Sequence, residues 1–178
     1  MPFLLRYSRL IDTLNARLGH SLPWLILFAV LVAAGNALVR RIFQLSSNAL
    51  LEIQWYLFAA VFLLGAGHAL LGNAHVRIDI LSARLSPRAR NWIDVFGIVF
   101  FLIPFCLILI LMSWPLAVNA WASGEMSQNA GGLVRWPVWL LLPMGFGLLL
   151  LQALSELIKR IAFLRGLGGD PLSAHRAQ

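Results

Sequence analysis

The sequence predicts an all-α membrane protein with four transmembrane helices, a short interfacial amphipathic helix between helices 2 and 3, and both termini in the cytoplasm. Three observations predict it. Of 178 residues, 60% are hydrophobic and 12% charged, with mean hydropathy +0.82; a small domain buries only part of its chain surface, so the apolar excess has to face lipid. Crossing the hydrocarbon core takes about 20 apolar residues as a helix, and four stretches supply them. The Lys and Arg residues, finally, cluster between these stretches rather than within them.

The chain reads as a single membrane domain over residues 1–178. The first span, about 22–41, is apolar from Leu22 to Val39 except at Asn36. Its preamble (Arg6, Arg9, Asp12, Arg17) is long, and the apolar run exceeds that of a signal peptide. The span is therefore expected to be retained, although the small residues Ala33, Ala34 and Gly35 resemble a cleavage region. The second span, about 49–71, carries Glu52, Gln54 and His68. Gly65 and Ala69 lie one turn apart there and offer a neighbouring helix a close approach.

Between the second and third spans, at about 77–85, Ile78, Leu81 and Leu85 share one side of a helix drawn at about 100° per residue. Arg77 and Arg84 line its edge, the pattern of a helix lying in the interface. Ser86 and Pro87 then read as an N-cap and first helical residue. The third span, about 87–121, enters the bilayer near Trp92. The fourth, about 136–161, is followed by a flexible tail at about 166–178. Pro104 and Pro115, and Pro143 with Gly145 and Gly147, are expected to kink the third and fourth spans.

Orientation follows from the cations. The N-terminal segment (Arg6, Arg9, Arg17), the second loop (Arg77, Arg84, Arg88, Arg90) and the C-terminal tail (Lys159, Arg160, Arg165, Arg176) hold eleven, against three at Arg40, Arg41 and Arg135. The richer side stays cytoplasmic. Trp24 and Trp92 then lie near the inner interface, and Trp55, Trp114, Trp121, Trp136 and Trp139 toward the outer one, where amphipathic rings settle. The net charge of +7 and pI near 11.3 come from these clusters, not from the continuous basic face a nucleic acid needs. No nucleic-acid partner is expected.

The search for chemistry returns little. The lone cysteine, Cys106, sits in an apolar run and reads as a packing residue. Intramembrane ionisable groups are the default functional candidates. Glu52, with Asn48 as a possible cap, reads either as an acid favoured by a helix N-terminus or as an intramembrane polar contact to a partner subunit. His68 reads as a hydrogen-bonded interfacial residue. The alternative reading, a haem-binding or electron-transfer membrane anchor, needs two histidines facing each other from different helices, whereas His20, His75 and His175 fall in or beside loops. Inverted repeats with paired broken helices, the mark of a self-sufficient secondary transporter, are missing. No catalytic set, metal site or cofactor site is expected, and the chain is not read as an enzyme.

Asn48 to Leu81 reads NALLEIQWYLFAAVFLLGAGHALLGNAHVRIDIL. With its Asn and Glu opening the second helix and its His75-Val76-Arg77-Ile78-Asp79 signature, it resembles the small membrane subunit (DctQ-like) of tripartite ATP-independent periplasmic (TRAP) transporters. Gly124-Glu125-Met126-Ser127, Trp136-Pro137-x-Trp139 and Pro143-Met144-Gly145 add to a likeness over about residues 22–160. The resemblance implies a stable pairing with a large membrane subunit that carries the substrate and sodium sites and moves as an elevator. It implies transient docking of a soluble periplasmic substrate-binding protein, and residence in the bacterial inner membrane. The small subunit would be a stationary scaffold in sodium-driven uptake of organic-acid-type solutes. Arg40 and Arg41 are then candidates for docking the binding protein, with interfacial snorkelling as the other reading. His75, Arg77, Asp79 and Arg84 form the signature and interfacial anchor, and Glu125 and Ser127 the third-loop motif.

Overall fold

The computed structural model describes residues 2–44, 47–72, 85–167, 169 and 171. Among them the chain is helical, and four helices are long and apolar enough to cross a membrane. The first, α1 (Pro2–Phe43), begins about twenty residues upstream of the apolar run. Residues 2–18 contain good helix formers and no glycine after a proline at the first position, where its missing N–H costs nothing. One face of this extension, Ser8, Ile11 and Asn15, is buried; the spacing puts all three on one side of the helix. The helix ends with Arg40 and Arg41 in its last turn, where cations suit the dipole, and Gln44 takes a positive φ of 54°.

Helix α2 (Asn48–Leu71) starts after an extended Ser47 and closes at Gly72, whose N–H reaches the His68 carbonyl at 2.9 Å. Ser47, not Asn48, holds the N-cap position, and its side chain makes no cap bond. The close approach foreseen at Gly65 occurs: a Cβ there would lie 2.9 Å from Leu22 of α1. Gly67 lies equally tight against Asn15, and Gly19 of α1 against the His68 ring. Glycines on both helices thus let their backbones meet.

The expected interfacial helix, and with it His75, Arg77, Asp79 and Arg84, lies outside the described residues except for Leu85. At α3 (Pro87–Gly97) Ser86 caps the helix as expected, accepting the Ala89 N–H at 3.3 Å with Pro87 behind it. A π-helical turn (Ile98–Leu102) joins α3 to α4 (Ile103–Ser123) without a break. Pro104 follows at once; in a regular α turn its ring would strike the Phe100 carbonyl, and the wider turn moves that carbonyl aside. Pro115 lies inside α4 and Pro143 inside the last helix, α5 (Trp136–Leu164), both of which continue through them.

Every other helix packs on α5, and α4 packs principally there. The face α4 offers is small: Cys106, Ser113, Ala117 and Ala120 are buried, and the Ser113 hydroxyl is satisfied by the Leu109 carbonyl at 2.6 Å. Edge-on pairs Phe105–Phe146 and Trp121–Trp136 complete the seam. Gly145 of α5 meets α2, where a Cβ would sit 2.7 Å from the Leu63 backbone oxygen. The outward faces stay apolar and bare, including Phe28, Leu31, Leu38 and Phe43 on α1 and Phe100, Phe101, Phe105, Leu111 and Met112 along the third span. A soluble fold would have to cover them; in a bilayer, lipid does.

Candidate functional site

Polar side chains gather at the two ends of the bundle. At one end the third loop folds back as a short hairpin. Met126 and Val134 form an antiparallel bridge, Ser127 N–H donates to the Leu133 carbonyl at 2.9 Å, and Arg135 N–H to the Glu125 carbonyl at 2.9 Å. Gly124 opens it in the left-handed region at φ 62°, ending α4, and Gly131 turns it at φ 69°. Residues without a Cβ adopt such angles at no steric cost.

What pins this hairpin is a stripe along the start of α2. Asn48, Glu52 and Tyr56 are four residues apart and therefore share a face. The Asn48 side-chain amide donates to the Ala130 carbonyl at 2.9 Å, and the Tyr56 hydroxyl to the Val134 carbonyl at 3.1 Å. Between them Glu52, only 3% exposed, accepts from the Ser127 hydroxyl, from the Asn129 amide at 2.8 Å and from the Leu133 N–H at 2.7 Å. Gly132 lies against this knot, its would-be Cβ 2.9 Å from Glu52 Oε1. Glu125 pairs with Arg135 at 2.8 Å, whose guanidinium lies 5.7 Å from the centre of the Trp139 ring.

Four residues singled out in the sequence, Asn48, Glu52, Glu125 and Ser127, thus meet in one constellation. Glu52 makes hydrogen bonds to the chain's own hairpin; its expected contact with a partner subunit is a separate matter. Arg40 and Arg41 are exposed in the last turn of α1, one short connection from Asn48.

At the other end lies a network the sequence reading did not assemble. Helix α1 supplies Ser8, Asp12 and Asn15; α5 supplies Gln152, Ser155, Glu156, Lys159 and Arg160; α3 supplies Asp94. Asn15 donates to Gln152 at 2.8 Å, and Gln152 to Asp12 at 2.9 Å. The Ser155 hydroxyl reaches Asp12 at 2.8 Å, and Ser8 and Ser155 share a bond of 2.7 Å. Lys159 pairs with Asp12 at 3.0 Å and with Glu156. Arg160, 2% exposed, pairs with Glu156 and reaches Asp94 at 3.2 Å. The legible signal was spacing: both sets recur at three and four residues, the mark of one helix face. Read singly, they looked like a charged preamble and the end of a span.

His20, expected in or beside a loop, lies within α1 and faces His68 edge-on, ring centres 6.2 Å apart. The α1 backbone at Gly19 packs directly on the His68 ring. Among the described residues no three His, Cys, Asp or Glu side chains converge as a metal site would require. Each polar constellation holds helices or a loop together.

A protein-family model described as "Tripartite ATP-independent periplasmic transporters, DctQ component" matches residues 29–163. Comparisons with curated proteins and with solved structures gave no match. The family match runs from within the first apolar helix through the other three, includes both stretches that form the hairpin clamp, and covers well over half of the sequence. This multi-pass membrane chain therefore belongs to the DctQ family, the small membrane component of TRAP transporters.

Proposed function

We propose that this chain is the stationary, non-catalytic scaffold of a sodium-driven TRAP transporter for organic-acid-type solutes in the bacterial inner membrane. It pairs stably with the large membrane subunit, and its hairpin end, facing the periplasm, helps dock the substrate-binding protein. The observation that carries this reading is how the polar groups are used. Glu52 and the Asp12–Arg160 network, at the two ends of the bundle, are engaged in holding the fold, which suits a scaffold better than a path whose ionisable groups bind cargo. The bare apolar faces of α1 and the third span suit a subunit that spreads a complex through the bilayer.

The orientation rests on the excess of cations on the side of the termini. Arg40 and Arg41, exposed at the hairpin end, are available for charge-assisted contacts with the soluble protein.

Reconstitution tests the proposal. Proteoliposomes holding both membrane subunits, supplied with the binding protein and an inward sodium gradient, should accumulate solute. Those lacking this chain should not, and this chain alone should accumulate none. Accumulation by this chain alone would overturn the scaffold reading. Changing Arg40 and Arg41 together to Glu should impair uptake while the two membrane subunits still co-purify; unimpaired uptake would remove their docking role.

A further inference from the structure

Over the hairpin knot lies a recess of about 360 Å3, bounded by Glu52, Trp55, Tyr56, Gln128, Asn129 and Arg135. Glu52 is its most buried wall. The three loop donors occupy Oε1 twice and Oε2 once. An ionised carboxylate offers about four acceptor positions, so one on Oε2 is left over.

The charge is left over too. Arg135, the cation among the lining residues, is engaged by Glu125 at 2.8 Å and lies beside Trp139. The Arg135 charge also acts on Glu52, but it is shared with Glu125, so the two carboxylates carry one negative charge more than this cation offsets. The surroundings of Glu52 suit a second cation. The Trp55 indole is 65% exposed and Tyr56 lines the recess with it; the faces of such rings attract ammonium and guanidinium groups.

We propose that this recess seats a lysine or arginine side chain presented by the soluble periplasmic protein when it docks. Glu52 supplies the countercharge and Trp55 the aromatic wall. The proposal deepens the docking function above and rests on it. The soluble protein is the occupant because the recess opens between the hairpin and the first turns of α2, at the loop end of the bundle rather than along a bare helix face. Charge complementarity argues the same way. Exposed Arg40 and Arg41 at this end call for acidic partners, and Glu52 for a basic one. A docking surface of mixed sign fixes the orientation of a partner, which one sign alone does not.

The test uses the complete two-subunit complex in lipid nanodiscs and the binding protein of the same system, with affinity measured at low and physiological salt. Glu52 itself is left intact, since removing it would loosen the hairpin. Gln128→Lys places a cation of the chain's own at the recess and should weaken binding tenfold or more, with a shallower salt dependence. Trp55→Ala should weaken it several-fold. Arg165→Ala, at the opposite end, should leave binding unchanged. A photo-crosslinking amino acid in place of Trp55 should capture a peptide of the soluble protein that contains Lys or Arg.

Wild-type affinity in both recess variants, or crosslinks to the large membrane subunit instead, would overturn the proposal while leaving docking intact. A wild-type complex that bound no soluble protein would overturn the docking function, and this site with it.

Discussion

At the scale of single residues, Glu52 shows what makes a carboxylate tolerable one turn into an apolar helix. It begins with a helix N-terminus behind it, whose dipole favours a negative charge, and gains three donors from a loop about 75 residues further along the chain. Glu52→Ala leaves the Ser127 hydroxyl, the Asn129 amide and the Leu133 N–H without their acceptor. Each donor left buried and unpaired costs about 1–3 kcal/mol, although exposure to water at a loosened loop would return part of it. The hairpin should then be cut faster by protease in detergent, around residues 127–133, while the helices stay intact. Unchanged cleavage would mean that Glu52 does not organise the loop. Gly132→Ala should act in the same direction, since its new methyl group would sit against Ser127 and Glu52.

At the scale of elements, two devices join the helices. The first is close approach at glycine. Gly145 admits Leu63 of α2, and Gly145→Val should push α2 from α5; overpacking of this kind costs about 1–3 kcal/mol, read as a lower midpoint of thermal unfolding in detergent. An unchanged midpoint would show that the seam can yield. The second device is the ion-pair network that clasps the N-terminal part of α1 and the later part of α3 to the end of α5. Arg160 and Glu156 are 2% and 1% exposed. Arg160→Leu would strip buried Glu156 and half-buried Asp94 of a cation, and removing one member of a buried pair costs about 3–5 kcal/mol, here lessened because Lys159 still faces Glu156. Amide exchange in residues 8–15 should rise in that variant. Exchange confined to α5 would show that α1 is held by other contacts.

At the scale of the whole molecule, the polar groups sit at the ends and the apolar surface around the girth, with α5 as the common wall. In the proposed scaffold role, polar groups at both ends would oppose sliding along the membrane normal, because such groups are costly to draw into the hydrocarbon core. The orientation is open to direct measurement. With impermeant maleimide on intact cells, Gln128→Cys should label from outside, and Leu167→Cys only after the membrane is opened, while buried Cys106 stays unlabelled. The reverse pattern would overturn the orientation on which the periplasmic docking face depends.

The sequence by itself determined the class, the four spans, the Ser86 cap and the family likeness. Those properties are local: they need only the length of an apolar run, the residue beside a proline, or a short motif. It also marked Asn48, Glu52, Glu125 and Ser127 as unusual without joining them, and it treated His20 as part of a loop. The tertiary structure decided the rest. That Glu52 meets the chain's own hairpin, that Asp12 belongs with Lys159 and Ser8 with Ser155, and that α1 starts near the N-terminus all depend on which surfaces meet across long separations in sequence. A polar residue at the edge of a span looks the same whether water, lipid, another subunit or a distant helix will satisfy it, and the packing of α1 and α2 on α5 is what selects among them.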